Sequence, residues 1–194
     1  MNTTDNDMLE LLQLFVRNCK GAGGQVSVID GAQDAALLIT AMADGEVTCS
    51  AAVPESYSDV YEGLRAQGIA VTISEEVAAG RESGEDRARL ASALAGGVGV
   101  VTAIAGVAET GSVVQADNSL STRLLGMLAD TCVVLVLRSA ILRDLDEAGA
   151  LIADMDRRGH HYISLVTGPS RTADIERVLT IGVQGPKALH VIVL

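Results

Sequence analysis

The chain predicts a three-layer α/β fold built on a mostly parallel sheet. Two observations carry that expectation. Several short segments are almost unbroken Val, Ile and Leu, as strands buried on both faces must be. Between them run segments whose apolar residues recur at helical spacing, so strands and helices alternate. The sequence shows no internal repeat, low-complexity tract or long linker, so residues 1–194 read as one domain.

The elements follow in order. Met8, Leu11, Leu12, Phe15 and Cys19 mark an amphipathic helix over 7–20, stopped by Gly21-Ala22-Gly23-Gly24. Gln25 to Ile29 reads as a strand and Ala32 to Ala43 as a helix. Val47 to Ala51 is a strand, and Pro54 to Gln67 a helix with proline at its start. Ile69 to Ile73 is a strand and Glu85 to Ala95 a helix. Gly96 to Ala108 fits a buried strand or a short helix equally well, because its residues are small and apolar. Glu109 to Ser112 reads as a turn between two short strands, an antiparallel hairpin. Ser119 to Leu128 and Asp144 to Arg157 are helices; Val133 to Leu137 and His161 to Val166 are strands. Thr172 to Ile181 reads as helix, and Ala188 to Leu194 as the final strand.

Composition narrows the function. Of the 194 residues, 48% are hydrophobic but only 2% aromatic, namely Phe15, Tyr57, Tyr61 and Tyr162, so stacking platforms for bases are nearly absent. Lys and Arg number 14 against 25 Asp and Glu, a net charge of −11 that repels nucleic acid and anionic membranes. Cys19, Cys49 and Cys132 form no CxxC pair, so the chain spells neither a zinc site nor an iron–sulfur cluster. The N-terminus is polar and acidic without a secretory pattern, and no apolar run spans a membrane, so the cytoplasm is the expected compartment. There is no P-loop, no HExxH and no GxSxG, and Gly97-Val98-Gly99 holds only a fragment of a dinucleotide fingerprint. His160 and His161 are adjacent and would face opposite ways in a strand; His190 inside the last strand reads as a core or rim residue.

Two segments carry the candidate chemistry. In Thr167-Gly168-Pro169-Ser170-Arg171-Thr172, an apolar run feeds a tight turn, hydroxyls, an arginine and an expected helix start. Unpaired amides there would favour an anion, and Arg171 could grip a carboxylate or phosphate. The same pattern also suits an ordinary helix cap, and Asp174 and Glu176 complement a helix dipole without any ligand. In Glu109-Thr110-Gly111-Ser112, a carboxylate follows an apolar stretch and could serve as acid or base; a solvated hairpin turn is the other reading. Arg123 is a possible partner for Glu109 or for a ligand. Glu109, Thr110, Ser112, Arg123, Thr167, Gly168, Ser170, Arg171 and Thr172 are therefore expected to line one anion-receiving cleft beyond the carboxyl ends of the strands.

Ala108 to Ser112, Ser121-Thr122-Arg123-Leu124, Thr167 to Glu176, Gly182-Val183-Gln184-Gly185-Pro186 and Leu189-His190-Val191 together resemble the LutC/YkgG family, also called the LUD domain. The resemblance runs from about Leu11 to the last residue. It implies a three-layer α/β/α sandwich like that of the NagB/RpiA/CoA-transferase group. It implies a part in bacterial L-lactate utilisation, as an accessory or binding subunit beside an iron–sulfur oxidoreductase that turns lactate into pyruvate. The cluster would sit on that partner, and no cofactor is expected in this chain. A stand-alone isomerase, transferase or hydrolase acting on a small anion is the alternative, with Glu109 as its candidate catalytic group. Where the family usually has Gly-Val-His-Gly-Pro, this chain has Gln184, which can hydrogen-bond but cannot exchange a proton near neutral pH.

Overall fold

The computed structural model describes residues 3–50, 55–74, 95–172, 180–182 and 185–194. Helix α1 (Thr3–Gly21) leads through a glycine turn into β1 (Gln25–Val28). Helix α2 (Ala32–Met42), β2 (Glu46–Cys49), a 3-10 turn, α3 (Ser58–Ala66) and β3 (Ala70–Ile73) follow. The ambiguous stretch resolves into two strands, β4 (Val98–Thr102) and β5 (Ala105–Val107); β5 turns back into β6 (Ser112–Ala116). Then come α4 (Leu120–Leu128), β7 (Thr131–Val136), β8 (Ile141–Leu142), α5 (Leu145–Arg157) and β9 (Ile163–Val166). The chain ends with β10 (Arg171–Thr172), β11 (Thr180–Ile181) and β12 (Ala188–Val193).

Six strands form the central sheet in the order β1-β12-β7-β4-β2-β3, with every pairing parallel. Alternation explains why its interior strands β4, β7 and β12 are almost unbroken apolar runs. Val134, Val136, Val191 and Val193 pack with Phe15 of α1 and Leu125 of α4 on one face. Val133, Leu135 and Ile192 pack with Ile39 of α2 and Leu64 of α3 on the other. This is a three-layer α/β/α sandwich. Gly99 in β4 leaves room for α4, because a Cβ there would stand 2.8 Å from both Ala129 and Leu125.

A second sheet, ordered β8-β5-β6-β9, lies on the α1 side and is covered by α5 through Ala148, Leu151 and Ile152. Its β5–β6 pair is the hairpin expected around Glu109, with Gly111 at φ +68 in the turn.

Two expectations need correction. The strand ending at Val166 does not join the parallel sheet. It pairs antiparallel with β6, Val113 opposite Val166, and forms the edge of the second sheet with Ser164 and Leu165 exposed. The helix expected from Thr172 to Ile181 is strand at both described ends, where Arg171 pairs with Ile181 and Thr172 with Thr180. Flanking bonds bring those ends together: the Ser170 amide donates to the Pro186 carbonyl (3.1 Å), and the Gly182 amide to the Ser170 carbonyl (2.9 Å). Residues 173–179 lie outside the described residues, as does nearly all of the helix expected over 85–95.

Candidate functional site

The structure divides the expected cleft residues between two places. The first is a hydroxyl chain. The hydroxyls of Thr110 and Ser112 are 2.7 Å apart, and those of Ser112 and Thr167 are 2.6 Å apart. The loops Glu109–Ser112 and Thr167–Thr172 therefore meet, as expected. They do so around the last turn of α1. Asn18 donates to the carbonyls of Ala108 (2.8 Å) and Glu109 (2.9 Å). Gly111 lies so close to the Cys19 amide that no side chain fits, and Gly168, at φ +72, abuts the Ala22 carbonyl in the same way.

That end of α1 feeds the first residue of β1, so this cluster stands at the amino side of the parallel sheet. Ligands on such sheets bind beyond the opposite, carboxyl ends. The side chains here are also engaged within the protein. Arg171 donates through Nη2 to the Ala22 carbonyl at 2.6 Å, just past the negative end of α1. The Glu109 carboxylate accepts the Leu145 amide at 2.9 Å and so caps α5. Thr172 sits in β10.

Arg123 lies elsewhere. Ser119 caps α4, with Asp117 accepting its amide at 2.6 Å, and Arg123 follows in the first turns. Its guanidinium stacks 3.6 Å from the centre of the Tyr162 ring, and Nε donates to the Ser119 carbonyl at 3.3 Å. Among the described residues it makes no ion pair. Beside it opens a cavity of about 390 Å³ between α4 and the β6–β9 edge, reaching Val101 and Thr102 at the carboxyl end of β4. Leu124, Met127, Ile163 and Val166 give apolar walls; Thr122, Gln115 and Ser164 add polar groups, and His161 and Asp117 line it too, the Asp117 carboxylate being engaged by the Ser119 amide. The volume is that of an ordinary small-molecule site. A cationic group at the mouth of an apolar recess can hold an anion by charge and planar hydrogen bonds while its partner's body leaves water.

Of the residues selected from sequence, Arg123 alone lines this cavity. Sequence reasoning passed over Tyr162, although a signal was available. It is one of four aromatic residues and is 52% exposed, whereas Phe15, Tyr57 and Tyr61 are buried.

The three thiols and His190 are buried. Burial pushes the Cys19 thiol up to about 11 and those of Cys49 and Cys132 to about 12. His190 is buried in β12 as expected, with Nε2 2.9 Å from the Ser27 hydroxyl, and burial holds its pKa below 6.5. Among the described residues no three His, Cys, Asp or Glu side chains come together as metal ligands, and no helix is long and apolar enough to cross a membrane. Gln184 lies outside the described residues.

Comparison with known proteins places this geometry. Lactate utilization protein C of a Geobacillus strain is 34% identical over 100 residues, 50% of this chain and 42% of that protein. Lactate utilization protein C of Bacillus licheniformis is 35% identical over 100 residues, again 50% and 42%. The uncharacterized protein YkgG of Escherichia coli is 33% identical over 100 residues, 50% of this chain and 43% of that protein. The match thus spans less than half the length of these relatives. A crystal structure of a DUF162 family protein from Deinococcus radiodurans shares the fold, with a TM-score of 0.64 at 18% identity over 96% of this chain and 97% of that one. The LUD domain model matches residues 12–194, and the chain belongs to that family.

Proposed function

We propose that this chain serves L-lactate utilisation as a binding or accessory subunit beside an iron–sulfur oxidoreductase, and that its anion site is the Arg123 cavity. Relatives named lactate utilization protein C support the role in lactate utilisation. The observation that carries the second is the Arg123 guanidinium stacked on Tyr162 in the wall of a recess that reaches the carboxyl end of β4. All three thiols are buried and no two stand in a CxxC pair, which supports placing the cluster on a partner in this reading. Thr110, Ser112, Thr167, Gly168 and Arg171 serve in this reading as the clamp that ties the second sheet to the end of α1, with Ser170 bonded to Pro186 and Gly182 and Glu109 as a helix cap.

Deleting the chain from its native host and following growth tests this reading. Growth on L-lactate as sole carbon source should fail while growth on glucose continues. An Arg123→Gln copy should restore it poorly, and the wild-type copy fully. Unimpaired growth of the deletion strain on L-lactate would overturn the assignment.

A further inference from the structure

The cavity is larger than lactate requires. Its 390 Å³ corresponds to about a dozen waters, whereas a three-carbon hydroxy acid displaces roughly three. Most of its wall is also apolar, and a ligand that is mainly hydroxyl and carboxylate would leave those side chains facing water.

Gly126 bears on the length of ligand the cavity admits, because it lies on the cavity wall. It sits inside α4, where glycine weakens a helix relative to alanine. Packing does not demand it. A Cβ built there would meet only Gln115 Oε1, at 3.9 Å, which is ordinary contact, and the backbone is not in the left-handed region. The contrast with Gly99 and Gly106 is direct, since a Cβ at either would collide with buried side chains. What an added side chain at Gly126 would occupy is the cavity itself, whose wall it forms.

We propose that the cavity receives an amphipathic carboxylate, with its head at Arg123 and an apolar body lying over Gly126 between Leu124, Met127 and Ile163. This inference rests on the anion site of the preceding reading and names its ligand class as larger than lactate. The chain would then contribute to lactate utilisation by holding a different, longer acid. Gly126 is the position that sets how long that acid is.

Calorimetric titration of the purified chain with L-lactate, butanoate, hexanoate and octanoate tests this. Affinity should rise about fourfold per methylene up to the length of the cavity. Octanoate should bind more than tenfold tighter than L-lactate. Gly126→Leu should weaken octanoate at least tenfold and flatten the chain-length series, with Gly126→Ala intermediate. Gly149→Ala, in α5 with nothing within 4 Å of the added Cβ, should leave the whole series unchanged. Arg123→Gln should weaken every acid by a similar factor. L-lactate binding as tightly as octanoate, octanoate binding untouched by Gly126→Leu, or no carboxylate binding at all would each overturn the proposal. None of these results alters the growth phenotype on lactate, which tests the role in utilisation separately.

Discussion

At the scale of single residues, three glycines separate two that the backbone requires from one that it does not. Gly168 is required by its φ of +72 and by the Ala22 carbonyl against it, and Gly111 by φ +68 and the Cys19 amide. Gly126 is required by neither. Gly168→Ala should therefore lower the unfolding free energy by about 2 kcal/mol or more. Gly126→Ala should raise it by roughly 0.5–1 kcal/mol, both read from urea midpoints at constant m. His190 makes a prediction of opposite character, in pH. Burial lowers its folded pKa below the unfolded 6.5, so below pH 6.5 the unfolded state binds more protons. The stability it supports is present above pH 6.5 and lost as pH falls through that value. Urea midpoints of the wild type should drop between pH 7.5 and 5.5 more steeply than those of His190→Gln. Equal slopes would show that burial of this imidazole has no energetic consequence.

At the scale of elements, the sequence discloses most where one physical signal dominates. The helices α1, α2, α4 and α5 follow from apolar spacing and caps, and the β5–β6 hairpin from Thr110-Gly111-Ser112. The sheet to which β9 belongs was not legible. Tyr162 to Val166 has the apolar character of a buried strand, and only its partner β6 reveals it as a one-sided edge. The expected helix start at Thr172 misled for a related reason. Gly, Pro, Ser and Thr mark a turn, but the ladder between Arg171 and Ile181 is a non-local choice that no turn residue announces. The guanidinium of Arg171, which the sequence offers as a grip for a carboxylate or phosphate, reaches the Ala22 carbonyl. Arg171→Met should thus cost about 1 kcal/mol of stability, the worth of a partly exposed charge-assisted bond, and leave carboxylate affinity unchanged. An affinity loss of tenfold or more in that variant would return the site to this loop.

At the scale of the molecule, parallel topology orders what the sequence could only enumerate. The loops rich in hydroxyls gather at the amino ends of the strands, around the last turn of α1, and lock the second sheet to the body. The recess opens at the carboxyl end of β4, where α4 departs over β6 and β9. A surface with net charge −11 disfavours anions at long range, so a ligand carboxylate depends on one local cation with an apolar wall beside it. Arg123, held by Tyr162 and the Ser119 carbonyl, provides that combination. The most direct test is the side-chain ¹⁵N–¹H spectrum of the arginines during titration with octanoate. The Arg123 Nε–H signal should shift and saturate while that of Arg171 stays in place; a saturating shift at Arg171 with Arg123 unmoved would contradict the account.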